Sequence, residues 1–281
     1  MQEMAIGKQQ VPVLGMGTWH MGVGNSGQYQ QELASLEYGL NHGLNVIDTA
    51  EMYGEGASER LVGDAISKHD RSKIYLISKF YPANAAAADL RNALTNSLQR
   101  LGTDYLDLYL LHWRGEVPLS ETMSTLQDLQ REGLIRDYGV SNFDTADLAE
   151  ALAVTGGAGI HANEILYNLT ARGSEFDLLA ANEQAGVATI GYSPFGSGDG
   201  KSIVLPASLR ELAASKGITE HQLMLAWTIR SGQVLSIPKA GNAKHMAENI
   251  AAAAITFTLD ELALINKYFP APDKKTPLAV I

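Results

Sequence analysis

Eight short apolar runs alternate with helical patterns along nearly the whole chain, and this alternation restricts the fold more than any single residue does. The runs occupy 13–16, 44–47, 74–78, 106–111, 137–140, 161–165, 188–192 and 234–237, lengths that suit strands. Helical patterns cover 31–41, 58–68, 86–101, 120–132, 145–154, 174–184, 206–216, 220–230 and 243–254. Gly43, Gly133 and Gly186 follow three of these, where a left-handed cap can end a helix before a strand. Strand–helix alternation of this length predicts the α/β class and a (β/α)8 TIM barrel. A doubly wound sheet needs a glycine-rich turn opening its first helix, and Gly15-Met16-Gly17-Thr18-Trp19-His20 does not complete that pattern. Residues 4–13 read as a short N-terminal β-hairpin turning at Gly7-Lys8. Residues 260–267 read as a C-terminal helix, and the Pro-rich tail after it is expected over the barrel mouth or flank. No linker, repeat or low-complexity tract interrupts the pattern, so 1–281 is expected to be a single barrel domain.

Polar residues end three of the apolar runs. Asp48 closes the second, Lys79 the third and His112 the fourth, while Tyr53 follows Asp48 in the next loop. Parallel barrel strands carry their carboxyl ends to one face, the face that holds active sites. An acid, a phenol, an ammonium and an imidazole gathered there suggest a tuned proton donor. Each alone has a structural reading: a strand-end Asp as a helix cap, a lone His or Tyr as core packing.

The formal charge of -10 argues against nucleic acid and against an anionic membrane surface as partners. No cysteine is present, which removes disulfides, thiolate zinc sites and a cysteine nucleophile, and no metal site is expected. Met1-Gln2-Glu3-Met4 lacks the basic-then-apolar order of a signal peptide. The chain is therefore expected to act in the cytoplasm.

Taken together, Asp48, Tyr53-Gly54, Lys79 and Leu110-Leu111-His112-Trp113 resemble the aldo-keto reductases. The likeness extends from Gly15-Met16-Gly17-Thr18-Trp19 through Gly139-Val140-Ser141-Asn142-Phe143 and Gly191-Tyr192-Ser193-Pro194-Phe195-Gly196. It continues through Ile237-Pro238-Lys239 to Glu248-Asn249. Residues 163–170 and the ending Phe269-Pro270-Ala271-Pro272 look like the bacterial methylglyoxal-reductase and 2,5-diketogluconate-reductase branch.

The resemblance implies NADPH or NADP+ as cofactor and a small carbonyl compound as substrate, reduced to an alcohol by a monomeric enzyme. It makes Tyr53 the general acid, Lys79 the ammonium that lowers the phenol's pKa, Asp48 the group that orients Lys79, and His112 the group that positions the carbonyl. Gly17, Thr18, Ser141 and Asn142 fall at cofactor positions, the last two at the carboxamide. Tyr192 is the ring that stacks on the nicotinamide, with Ser193 and Pro194 beside it. Gly196, Ser197 and Gly198 run along the pyrophosphate. Lys239 and His245 fall at the 2′-phosphate, and Glu248 and Asn249 at the adenine. Trp19, Met52 and Trp113 are the expected substrate walls.

Two positions depart from the family pattern. Glu164 stands where the family usually has a glutamine at the carboxamide, and it is expected to be ionised there. His245 stands where many members have an arginine, giving up the bidentate fork. Two rivals remain open: a cofactor-binding regulatory subunit on the same fold, and an aldolase or isomerase using Lys79 as a Schiff base.

Overall fold

Each apolar run pairs with the next one in sequence. The computed structural model describes residues 1–197, 200 and 202–281. Glu3–Ile6 (β1) and Gln9–Pro12 (β2) form an antiparallel hairpin with Ile6 opposite Gln9. Then come Met16–Gly17 (β3), Val46–Asp48 (β4), Tyr75–Phe80 (β5), Leu106–Leu111 (β6), Ile135–Ser141 (β7), Ile160–Leu166 (β8), Ala188–Tyr192 (β9) and Val234–Ser236 (β10). These eight strands lie parallel and in chain order in one sheet. Parallel bridges from Leu14 to Ser236 and from Gly17 to Lys239 join its two ends and close the barrel. The seam requires glycine: a Cβ on Gly17 would lie 2.5 Å from the Ile237 carbonyl oxygen.

The first strand is shorter than 13–16 predicts because its early residues bond singly across the seam. Gly15 donates to the Ser236 carbonyl at 2.8 Å and Ser236 donates to Val13 at 2.9 Å. The helices are Ser26–Asn41 (α1), Ala57–Ile66 (α2), Ala87–Leu101 (α3), Leu119–Arg131 (α4), Thr145–Ala153 (α5), Leu178–Gln184 (α6), Ala207–Ser215 (α7), Glu220–Thr228 (α8), Ala243–Ala252 (α9) and Leu259–Tyr268 (α10). α1 begins earlier than its apolar pattern, because Asn25 caps it by accepting from the Gln28 amide. α6 begins later than 174, the residues before it being a 3-10 turn, Gly173–Glu175, and a break at Asp177.

Strand parity divides the core. Ile47, Leu76, Tyr109, Leu111, Val140 and Ile165 face outward and pack with helix residues such as Leu61, Leu94, Leu126 and Leu148. Val46, Ile77, Leu108, Leu110, Ala162, Ile190 and Leu235 fill the barrel. Ile6 and Val11 of the hairpin join that inner cluster, so β1 and β2 plug the amino-terminal end. Gly7, at the hairpin turn, lies against the Asp137 carboxylate near the start of β7. The tail does both things expected of it. Lys275 pairs with Asp177 on the flank at 2.8 Å, and Ile281 reaches the mouth.

Candidate active site

The same parity builds the site. Val46, Ile77, Leu110, Ala162 and Ile190 point into the barrel. Two residues further along the chain from each come Asp48, Lys79, His112, Glu164 and Tyr192. Side chains two apart on a strand share a face, so these five form the top layer of the interior. His112 lies just past β6 but keeps the ladder, donating its amide to the Phe80 carbonyl at 3.1 Å. β5 is fixed from behind: Ser78 donates to Glu59 of α2 at 2.6 Å, and Arg100 of α3 donates to the same carboxylate at 2.6 Å.

Lys79 is fully buried and is the hub. Its Nζ donates to both Asp48 oxygens at 2.6 and 2.7 Å, to the Thr49 carbonyl at 3.1 Å and to the Tyr53 hydroxyl at 3.3 Å. An ammonium has three N–H bonds, so these acceptors already exceed its supply. Glu164 Oε1, at 3.4 Å, therefore gains attraction from Lys79 without a well-made hydrogen bond. Its Oε2 receives no hydrogen bond, and the carboxyl abuts that of Asp48. Two ionised carboxylates in contact repel. Burial, and then the Asp48 charge, push Glu164 well above the usual carboxylate range, which favours its neutral form. Burial also raises Asp48, with Lys79 opposing. These surroundings weigh against the ionised Glu164 expected from the sequence. The mouth does not solvate this group, which is 2% exposed, and Asn163 turns away to donate to the Phe143 carbonyl at 2.9 Å.

Lys79 lowers the Tyr53 pKa as expected, but burial, the largest effect, more than offsets it and the Asp48 charge adds to the rise. Tyr53 therefore keeps its proton at working pH. An alkoxide formed by hydride addition is more basic than a phenolate, so a protonated phenol is a loaded donor. Lys79, beside it, stabilises the phenolate left after donation. Burial pulls the lysine down, but the charge and hydrogen bonds of Asp48 outweigh it and the net direction is upward. A permanently charged, fully engaged lysine cannot attack a carbonyl, which removes the Schiff-base rival. His112 is pulled down to about 3, first by burial and then by Lys79, and is neutral. Its ring meets the edge of Tyr53 at 5.8 Å between centroids, and its Nδ1 has no partner.

Above this layer opens a cleft of about 1210 Å³. Gly17, Thr18, Ser141, Asn142, Glu164, Tyr192, Ser193, Pro194, Gly196, Ser197, Lys239 and His245 all line it. Trp19, Met52 and Trp113 stand half-exposed on its walls. Gly198 lies outside the described residues. Asn142 lines the cleft with its side chain already engaged in the fold. Its Nδ2 donates to the His112 carbonyl at 3.1 Å and to Ser141 at 3.2 Å, and its Oδ1 accepts from Tyr192 at 2.8 Å. Asn142 and Ser193 hold left-handed backbone, φ 60° and 51°, on either side of Tyr192. Such strain collects at functional sites.

Glu248 and Asn249 do not line the cleft. Glu248 faces Lys244 at 3.9 Å, and Asn249 is buried within the fold. Sequence reading missed His20, Asn25, Gln28 and Asn242, which do line it. Asn25 and Asn242 each cap a helix, α1 and α9, and an Asn before a helical run was the signal available. No group of three or more acidic or histidine side chains suited to a metal occurs among the described residues. No helix among them is long and apolar enough to cross a membrane.

A closed parallel barrel thus sets a buried Asp–Lys pair, a phenol and a neutral imidazole under one cleft. The chain belongs to the aldo/keto reductase family, whose sequence model matches residues 13–269. Among similar proteins is methylglyoxal reductase YeaE of Escherichia coli, 40% identical across 98% of this chain and 97% of that one. A crystal structure of an aldo-keto reductase from Klebsiella pneumoniae in complex with NADPH is 41% identical, with a TM-score of 0.95 and all of both chains covered. A second from Klebsiella pneumoniae, in complex with NADP and acetate, is 42% identical over 98% and 97% of the two chains, with a TM-score of 0.93.

Proposed function

We propose that this protein reduces small aldehydes or dicarbonyls to alcohols with NADPH, Tyr53 giving the proton. The observation that carries the reading is the Asp48–Lys79–Tyr53 chain, 2.6 and 3.3 Å link by link, ending in a protonated phenol at the cleft floor. Neutral His112 beside it offers Nε2–H to the substrate oxygen, with Nδ1 as the bare nitrogen. Trp19, Met52 and Trp113 give the reacting end apolar walls without a charged cluster, which suits small uncharged carbonyls. The methylglyoxal reductase among the relatives is consistent with a dicarbonyl substrate.

The cleft fits a dinucleotide. Sites for drug-sized ligands usually measure roughly 300–1,000 Å³, and this one is larger. Glu164 Oε2, an enclosed oxygen with no donor, is placed to accept from an amide such as the nicotinamide carboxamide. Tyr192 presents its ring, held by Asn142. Exposed Lys239 and His245 stand at the lip for phosphate. When bound, NADPH supplies the hydride. Residues 1–281 act as one barrel unit in this reading.

The test is Tyr53→Phe, with methylglyoxal and simple aldehydes followed at the nicotinamide absorbance. General acid catalysis is worth about 10²–10⁴-fold, so kcat should fall by that much while NADPH binds as before. Retention of more than about a tenth of kcat would remove Tyr53 from the role. NADPH binding without turnover of any carbonyl by the wild type would leave a cofactor-binding regulatory role instead.

A further inference from the structure

We infer that Glu164 is the site's redox-sensing proton store: it holds a proton under a neutral ligand and releases it when a cationic ring lies over the cleft floor. The inference rests on the proposed nicotinamide placement and goes beyond it. The Asp48–Lys79 pair cancels its own charge. Adding an ionised Glu164 would give the buried layer a net negative charge, with no further cation in it among the described residues. The groups facing Glu164 are Asp48 of β4, Tyr53 after it, Lys79 of β5, His112 after β6 and Tyr192 of β9, with uncharged Ser141 from β7. His112 is neutral, both tyrosines are pushed upward, first by burial, and Asp48 is held by two Lys79 hydrogen bonds, so Glu164 is the group in this set poised to change state.

A nicotinamide ring is cationic when oxidised and neutral when reduced. Over the oxidised ring the second carboxylate gains its missing counter-charge, and Glu164 goes from COOH to COO⁻ with one proton passing to solvent. Over the reduced ring nothing offsets the charge and the proton stays. The phosphates and sugars of the two forms are identical, so their linked protons cancel in the difference.

Calorimetric titration of NADP+ and of NADPH at pH 7, each in two buffers of different ionisation enthalpy, reads the protons directly. NADP+ should release up to one proton more than NADPH. Glu164→Gln should abolish the excess while both ligands still bind, and NADP+ should lose affinity relative to NADPH. Tyr53→Phe should keep the excess. An equal proton count for the two forms in wild type, or an excess that survives Glu164→Gln and vanishes in Tyr53→Phe, would overturn the proposal and leave the nicotinamide placement standing. Failure of the wild type to bind either form would overturn the placement and the proposal with it.

Discussion

The two ends of this barrel treat buried charge in opposite ways. At the amino-terminal end, Asp107 is met by Arg71 at 2.8 Å and Arg136 at 3.0 Å, and both guanidiniums lie over the Tyr105 ring. Asp137 meets His161 at 2.7 Å under the hairpin turn. There two arginines face Asp107, an imidazole hydrogen-bonds Asp137 and the hairpin closes the end. At the carboxyl-terminal end two acids share one lysine, and the layer faces a cleft. Polar groups cost little when matched and several kcal/mol when not. The matched end serves stability. The unmatched end keeps protons and hydrogen-bond capacity for a ligand, and its cost is borne by the rest of the fold.

The contrast is tested most severely by Lys79→Met. Removing one member of a buried ion pair costs about 3–5 kcal/mol, and here it leaves two carboxyls with no cation. Urea unfolding at pH 7 should show that loss, and lowering the pH should recover part of it as the acids take protons. Arg136→Met at the other end should cost no more than about 1 kcal/mol, because Arg136 is partly exposed and Arg71 still holds Asp107. Equal losses at the two ends would erase the distinction.

A smaller, graded effect separates the two states of Glu164. The folded protein binds its proton more tightly than the unfolded chain, whose carboxyl has the ordinary value of 4.5. The native state therefore carries the extra proton, and stability falls as pH rises above 4.5, until the buried carboxyl itself ionises. Glutamine has no such dependence. The stability of Glu164→Gln relative to wild type should thus rise with pH above that value, by at most about 1.4 kcal/mol per unit. A difference that stays flat from pH 4 to 8 means an ionised, well-solvated Glu164. Smallest of all should be Lys239→Ala at the exposed lip: a few-fold weaker NADPH with little change in NADH, shrinking as salt is added.

These residues also mark how far the sequence could be read. Asp48, Lys79 and His112 were legible because each interrupts an apolar run at a fixed phase, and strand parity turns phase into direction. The barrel followed from alternation alone. What local pattern cannot encode is distance between strands that are not neighbours. Lys79 on β5 and Glu164 on β8 are 85 residues apart in the chain, and only barrel closure brings them to 3.4 Å. Hence the burial that pushes both Glu164 and Tyr53 upward could not be read from the sequence. For Glu248, motif order fixes its helix, while its facing depends on how α9 packs against α1 and α8. Asn25 and Asn242 were missed because a helix cap and a cleft wall look the same in sequence.

The state of the buried carboxyls can be observed directly. Isotope-edited infrared spectra of glutamate-labelled protein at pH 7, wild type minus Glu164→Gln, isolate this one side chain. A protonated Glu164 gives a positive carbonyl-stretch band of a neutral carboxylic acid, which disappears in the variant. A difference spectrum showing only carboxylate bands would contradict the unmatched, proton-loaded floor proposed for this site.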